Sequence, residues 1–201
     1  MHPRLLSVVL ISLIFSLASK GQEHNTYPDS LKSIVIKFEP LSILFNQLSA
    51  GLEVPLTANK FLDITMGYGG LGMYSSEKTN GFLVKAGVKF PRKFQTPFSM
   101  IYVMPLFAYS HYTAPDYYSY PNKVNVSAQA LLVDFGYRHI NPETRFYYDV
   151  GFDVGYGWAN NGEATQNFNH IILTNYNYTK NSVAGIALSA HFSIGVVLRK
   201  R

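Results

Sequence analysis

The feature that most constrains this chain is an apolar/polar alternation of period two that recurs in segment after segment, with almost no 3.6-residue periodicity beside it. Period two places alternate side chains on opposite faces of a strand, so strands are the building unit. In 47–56, Leu48, Ala50, Leu52, Val54 and Leu56 face away from Gln47, Ser49, Gly51 and Glu53. In 61–69, Leu62, Ile64, Met66 and Tyr68 oppose Asp63, Thr65, Gly67 and Gly69, and 82–90 sets Phe82, Val84, Ala86, Val88 and Phe90 against Lys85, Gly87 and Lys89. The clearest run is 145–157, where Phe146, Tyr148, Val150, Phe152, Val154 and Tyr156 alternate with Tyr147, Asp149, Gly151, Asp153, Gly155 and Gly157. The last run, 184–199, does the same down to Arg199.

Three more strands are less regular. Residues 33–40 place Ile34, Ile36 and Phe38 opposite Lys37 and Glu39, and 97–110 is apolar on both faces, which leaves its phase open. In 123–138 the polar positions Asn125, Ser127 and Gln129 fall one residue out of step with Asp134, Gly136 and Arg138, which predicts a β-bulge near Ala130 to Leu132. Eight strands result, an even number suited to a small closed barrel.

Connection lengths carry separate information. Brief links near 57–60, 92–96 and 139–144 alternate with longer ones at 70–80, 111–122 and 158–182; only the first connection, near 41–46, departs from this by being short. Membrane barrels sort their connections in this way, with short periplasmic turns and longer outer loops, whereas a soluble sandwich has no reason to.

Face composition says which solvent each side meets. The polar set contains Lys37, Glu39, Glu53, Asp63, Lys85, Lys89, Asp134, Arg138, Arg145, Asp149, Asp153 and Arg199, six acids and six bases set among glycines and serines. Balanced charge is what a narrow shared lumen requires, because each buried charge must find a partner. A soluble lipocalin-like binder would turn these residues outward instead. The expectation is therefore an all-β, closed, up-and-down antiparallel transmembrane barrel of eight strands with a filled polar interior and no open pore. Phe61, Tyr68, Phe82, Phe90, Phe98, Tyr109, Tyr137, Phe146 and Tyr156 are candidates for its interfacial aromatic girdles.

The N-terminus supplies a location. Arg4 precedes an apolar run from Leu5 to Ala18 and then Ser19-Lys20-Gly21, which reads as a secretory signal over 1–21. A short periplasmic segment, 22–32, would lead into the barrel at 33–201. The absence of cysteine excludes a lipoprotein anchor and a disulfide framework. Loss of Arg4 and Lys20 from the 17 Lys and Arg would leave 15 against 12 acids, too mild a balance for a nucleic-acid partner, and no basic stripe is present.

Chemical motifs are few. Gly67-Tyr68-Gly69-Gly70-Leu71-Gly72 spells a dinucleotide fingerprint, but a polar loop and another strand follow where the fingerprint needs a helix. The histidines at 24, 111, 139, 170 and 191 show no metal-ligand spacing, so neither metal nor other cofactor is expected. A lipid-modifying acyl hydrolase, with His111 or His139 beside a serine and a carboxylate, is the enzymatic alternative, but no nucleophile motif frames any serine and no catalytic residues are expected. The long loops offer binding instead, through Tyr112, Tyr117, Tyr118 and Tyr120 in one and Trp158, Tyr176 and Tyr178 in the other.

Phe38-Glu39-Pro40-Leu41-Ser42-Ile43-Leu44-Phe45-Asn46, followed by Leu48-Ser49-Ala50-Gly51-Leu52-Glu53, resembles the first hairpin of small outer-membrane β-barrel proteins of Bacteroidota-type bacteria, with an OmpA/OmpX-like layout. That resemblance implies an eight-stranded barrel with no established activity and explains the short first connection. The chain departs from such proteins at its end, Val197-Leu198-Arg199-Lys200-Arg201, where an aromatic residue is usual. The functional expectation is a structural or surface-binding, adhesive protein of the outer membrane. Its partners would be outer-membrane lipid and lipopolysaccharide, the barrel-assembly machinery, and an extracellular partner met through the long loops.

Overall fold

The computed structural model describes residues 33–45, 47–57, 60–69, 80–96, 98–115, 123–160, 172–179 and 182–198; the side chains of 45, 93–96, 114, 115, 124, 172–179, 182 and 183 are excepted. The expected signal segment, the periplasmic segment and Arg199 lie outside these residues. Nine strands are described: β1 (Ile34–Phe38), β2 (Gln47–Thr57), β3 (Lys60–Gly69), β4 (Asn80–Thr96), β5 (Ser99–Pro115), β6 (Lys123–Ile140), β7 (Phe146–Asn160), β8 (Ile172–Thr179) and β9 (Ser182–Leu198). Every pairing is antiparallel, and the order β1-β2-β3-β4-β5-β6-β7-β9 closes because β9 also pairs with β1. Eight strands thus form an up-and-down ring with no free edge at its base.

Register fixes the shape of the ring. Followed from partner to partner, Phe38 leads through Ala50, Met66, Val84, Tyr109, Gln129 and Trp158 to Ala184 on β9, whereas Phe38 itself pairs with Ile194, ten residues further along that strand. A stagger of ten over eight strands tilts them by about 40°, within the range of transmembrane barrels, so each residue climbs roughly 2.5 Å along the axis. The short-turn ends then lie nearly level, while the opposite ends rise from β3 to β6 by about 15 Å. The wall is low at β1–β3, where β3 has 10 residues, and high at β5–β6, with 17 and 18.

The ninth strand was not anticipated. β8 lies within the expected loop 158–182 and pairs with the upper half of β9, from Ile172↔Leu188 to Thr179↔Ser182, on the edge that β1 covers only lower down. Between them, in place of a strand, a 3-10 helix (Pro40–Phe45) packs beside β9. This helix is the short first connection, and Ser42 anchors it by donating from its hydroxyl to the Glu39 and Gln47 carbonyls, at 2.6 and 3.0 Å.

The bulge expected near Ala130 to Leu132 is absent: β6 keeps an unbroken register with both β5 and β7. Even-numbered residues point inward along its length, so Val126, Ala128, Ala130 and Leu132 share the inner face with Asp134 and Arg138. Asn125, Ser127 and Gln129 belong to the outer face, where the strand has risen above the apolar band. The alternation keeps its phase, and what changes is the solvent along one face. The open phase of 97–110 resolves in the same way, with Met100, Tyr102, Met104, Leu106, Ala108 and Ser110 inward.

Candidate functional site

Polarity is inverted relative to a soluble domain. Met66 and Phe135 are 62% and 52% exposed on the outside, while Glu53, Lys89 and Arg138 have no exposed surface inside. Outward Leu52, Ile64, Val84, Phe107, Val133, Val150, Phe152, Ile186 and Val196 continue the apolar belt around the ring. No sheet face in water is stabilised by such a surface; a hydrocarbon surround is.

The interior is layered. At the short-turn end Val35, Phe61, Met100, Ile140, Tyr147 and Val197 form an apolar floor, so Phe61 faces the lumen and not the expected lipid-facing girdle; toward the high rim Leu83, Ala108, Val126, Ala128, Ala130, Ala159 and Ala187 form an apolar upper layer. Between them lies a belt of buried charge containing Lys37, Glu39, Glu53, Asp63, Lys85, Lys89, Asp134, Arg138, Asp149 and Asp153. Arg145, grouped with these by alternation, is instead exposed, because its φ of 59° swings it out of the strand at the β6–β7 turn.

Lys89 organises the belt. Its Nζ lies 2.8 Å from both Glu53 Oε2 and Asp63 Oδ2, and it also pairs with Asp149 Oδ2. Lys37 holds Asp63 Oδ1 at 2.7 Å, and Arg138 Nη2 lies 2.8 Å from Glu53 Oε1. Glu53 and Asp63 are direct cross-strand partners, a like-charged pair that is unfavourable unless cations lie between. Lys89 also sits 4.6 Å from the Tyr102 ring centroid, and the Arg138 guanidinium 4.7 Å from that of Phe61. Two tyrosines complete the shell: the Tyr102 hydroxyl lies 2.7 Å from Asp149 Oδ1, and that of Tyr147 lies 2.7 Å from Asp149 Oδ2.

Sequence reading missed two participants in this network. Tyr102 lay in the strand whose phase was open; glycine at 136 was the available signal, since a Cβ there would meet the Tyr102 hydroxyl at 2.2 Å. His191 falls on the polar face of the last strand, and that alternation is the signal that places it inside. Its Nε2 lies 3.3 Å from the Tyr102 hydroxyl, 3.6 Å from Asp149 Oδ1 and 3.9 Å from Asp134 Oδ2.

Two cavities adjoin the belt. One of about 20 Å³ lies among Lys37, Glu39, Asp63, Lys85, Asp153 and His191. A second, of about 370 Å³, lies where the 3-10 helix meets β9, lined by Glu39, Leu41, Ser42, Lys85, Phe152, Leu188, Ser189, Ala190, His191 and Phe192. Its lining includes residues from both faces of β9, so it joins the outer surface to the charged belt.

The loop candidates divide. Tyr112 is buried on the inner face of β5 and is not displayed to a partner, a consequence of the strand running on to Pro115. Trp158 is half-buried on the outer face of β7. Tyr117, Tyr118 and Tyr120 lie outside the described residues, and Tyr176 and Tyr178 fall on β8, whose side chains do also. The outer face of the high rim carries hydrogen-bonded polar pairs: His111 Nδ1 with Ser127 Oγ at 2.8 Å, Thr113 Oγ1 donating to Asn125 Oδ1 at 2.9 Å, and the Ser127 amide donating to Asn160 Oδ1 at 2.6 Å. His139 Nδ1 likewise lies 2.9 Å from Ser99 Oγ near the short-turn end. Among the described residues no carboxylate pairs with His111 or His139.

Fold and interior together define a closed eight-stranded β-barrel of the transmembrane kind, apolar outside and filled with charge inside. No protein-family model and no curated protein matches the chain. Among solved structures it is similar to Ail, the attachment invasion locus protein of Yersinia pestis, with a TM-score of 0.39 and 11% identity over 83% of this chain and 95% of that one. A likeness at that level says nothing of what this chain binds.

Proposed function

We propose that this protein is a non-conducting barrel of the outer membrane whose raised rim binds at the cell surface. The observation that carries the reading is the asymmetry of the wall. Crossing the apolar band takes about 10 residues at this tilt, which β2 and β3 supply, while β5 and β6 continue about 15 Å beyond it. Above the band their outward residues change from Phe107, Leu131 and Val133 to His111, Thr113, Asn125, Ser127 and Gln129. A paired, polar sheet standing clear of the membrane is pre-ordered, so it would bind without the entropy cost of fixing loops. On this reading the apolar belt meets outer-membrane lipid and lipopolysaccharide, the assembly machinery inserts the ring, and an extracellular partner meets the rim.

The test joins Tyr109 to Gln129 by a two-residue turn, removing the upper β5–β6 hairpin. The shortened barrel should still fold, shown by heat-dependent gel mobility, yet cells displaying it should lose attachment to protein- or glycan-coated surfaces. Unchanged attachment would overturn the rim as the binding element, and steady ion conductance in planar bilayers would overturn the filled lumen.

A further inference from the structure

The charge belt contains two cross-strand pairs of carboxylates, and among the described residues only one of them is bridged by an ammonium. Glu53 and Asp63, with Asp149, form a buried triad whose ligand oxygens lie within 4.8 Å of one another, and the Lys89 ammonium binds all three. Asp134 and Asp153, directly paired between β6 and β7, form a second triad of the same dimensions with His191 of β9. No ammonium or guanidinium makes an ion pair with Asp134 or Asp153 among the described residues. Both carboxylate oxygens of Asp153 and Oδ1 of Asp134 are buried without a hydrogen-bond partner, although the two residues are 1% and 0% exposed.

Charge counting agrees. Across the described belt six carboxylates stand against four lysine and arginine cations, an excess of two negative charges before His191. Lys85 lies in the field of Asp153 and Asp134, as it does in that of Glu39. A buried, uncompensated carboxylate pair is unfavourable unless it neutralises or coordinates a cation. Room exists beside two of the three: a cavity of about 20 Å³, enough for a single water- or ion-sized particle, is bordered by Asp153 and His191 together with Glu39, Asp63, Lys37 and Lys85. The larger cavity beside β9 shares His191, Lys85 and Glu39 with it and provides a path.

We propose that Asp134, Asp153 and His191 form a binding site for one first-row divalent cation, of which zinc is the probe. One imidazole nitrogen and two carboxylates suit zinc or manganese and are a poor match for the all-oxygen shells of calcium and magnesium. Chain spacing conceals such a site, because its ligands come from three neighbouring strands and not from one motif. The ion would perform across β6, β7 and β9 what Lys89 performs for the other triad, tying the strands on either side of β7 together.

The full barrel, purified in detergent and stripped with chelator, is dialysed against zinc, and bound metal is counted by elemental analysis. One zinc per chain is expected, with the urea midpoint raised by zinc and not by calcium. Asp153→Asn, close in shape and lacking the unpaired charge, should bind at least tenfold more weakly; His191→Gln, which keeps both carboxylates, carries the test should Asp153→Asn fail to fold. His139→Gln should bind as the parent does. The proposal is overturned by absence of bound zinc, by equal binding in both ligand variants, or by calcium matching zinc.

Discussion

Replacing Lys89 by Met removes the ammonium at the centre of the belt and keeps most of its apolar stem. Asp63 would retain Lys37, and Glu53 would retain Arg138. Among the described residues, Asp149 would lose its one ion-paired lysine and keep only the Tyr102 and Tyr147 hydroxyls and a 3.6 Å approach to His191. Breaking a buried pair from one side leaves a charge uncompensated and costs about 3–5 kcal/mol. With a urea slope of about 2–3 kcal/mol/M, the unfolding midpoint should fall by roughly 1–2.5 M. Trp158, the only tryptophan, reports the transition by fluorescence after refolding into vesicles. Asp149→Asn added to Lys89→Met should recover more than half of the loss, because the orphaned charge goes with it. A loss below about 1 kcal/mol for Lys89→Met, or no recovery in the double variant, would refute the network as described.

Phe135→Arg on the outer face should cost about 2–4 kcal/mol in lipid vesicles, where the same change on a water-facing sheet would be near neutral; urea titration distinguishes them. Gly136→Ala should push the Tyr102 ring from its place, lifting its hydroxyl off Asp134 and Asp149 and lowering stability by about 1–3 kcal/mol, as read in the same titration. Arg145→Gly should shift stability by less than about 1 kcal/mol, since relief of the left-handed φ offsets the added freedom of the unfolded chain; a loss above 3 kcal/mol would return Arg145 to the interior network.

The eight strands of the ring, its closure and the inward side of most strands were legible because lipid and lumen enforce period two over many residues. The errors have separate causes, and the one on β6 is a change of environment along the strand. On β6 the outer face passes from lipid to water above Leu131, and the inner face from charge to alanine above Asp134, so the polar signal changes sides without any change of backbone. On β5 neither face is charged: Met100, Tyr102 and Met104 face inward opposite Ile101, Val103 and Pro105. Arg145 obeyed the alternation in sequence and left it through one dihedral angle, which composition does not encode. β8 escaped because its pairing lies on an edge of β9 that is open only where β1 is short.

The layering bears on where function can reside. Among the described residues, charges are packed between an apolar floor at Phe61, Met100 and Tyr147 and an upper layer at Leu83, Ala130 and Ala187, so a water path along the axis would have to pass the ion pairs of the belt. Opening one would mean separating ion pairs held at 2.7–2.8 Å between strands far apart in sequence, such as Lys37 with Asp63 and Lys89 with Glu53. Each separation carries the cost of an uncompensated buried charge, and the separations would have to occur together. The belt therefore acts as a rivet through the ring. A ring riveted at mid-height holds its upper strands in fixed register, and the projecting β5–β6 sheet inherits that rigidity. If so, Lys89→Met should loosen the rim as well as the core, raising amide exchange in Tyr109 to Thr113 and Asn125 to Gln129; unchanged rim protection in that variant would show that the two are mechanically independent.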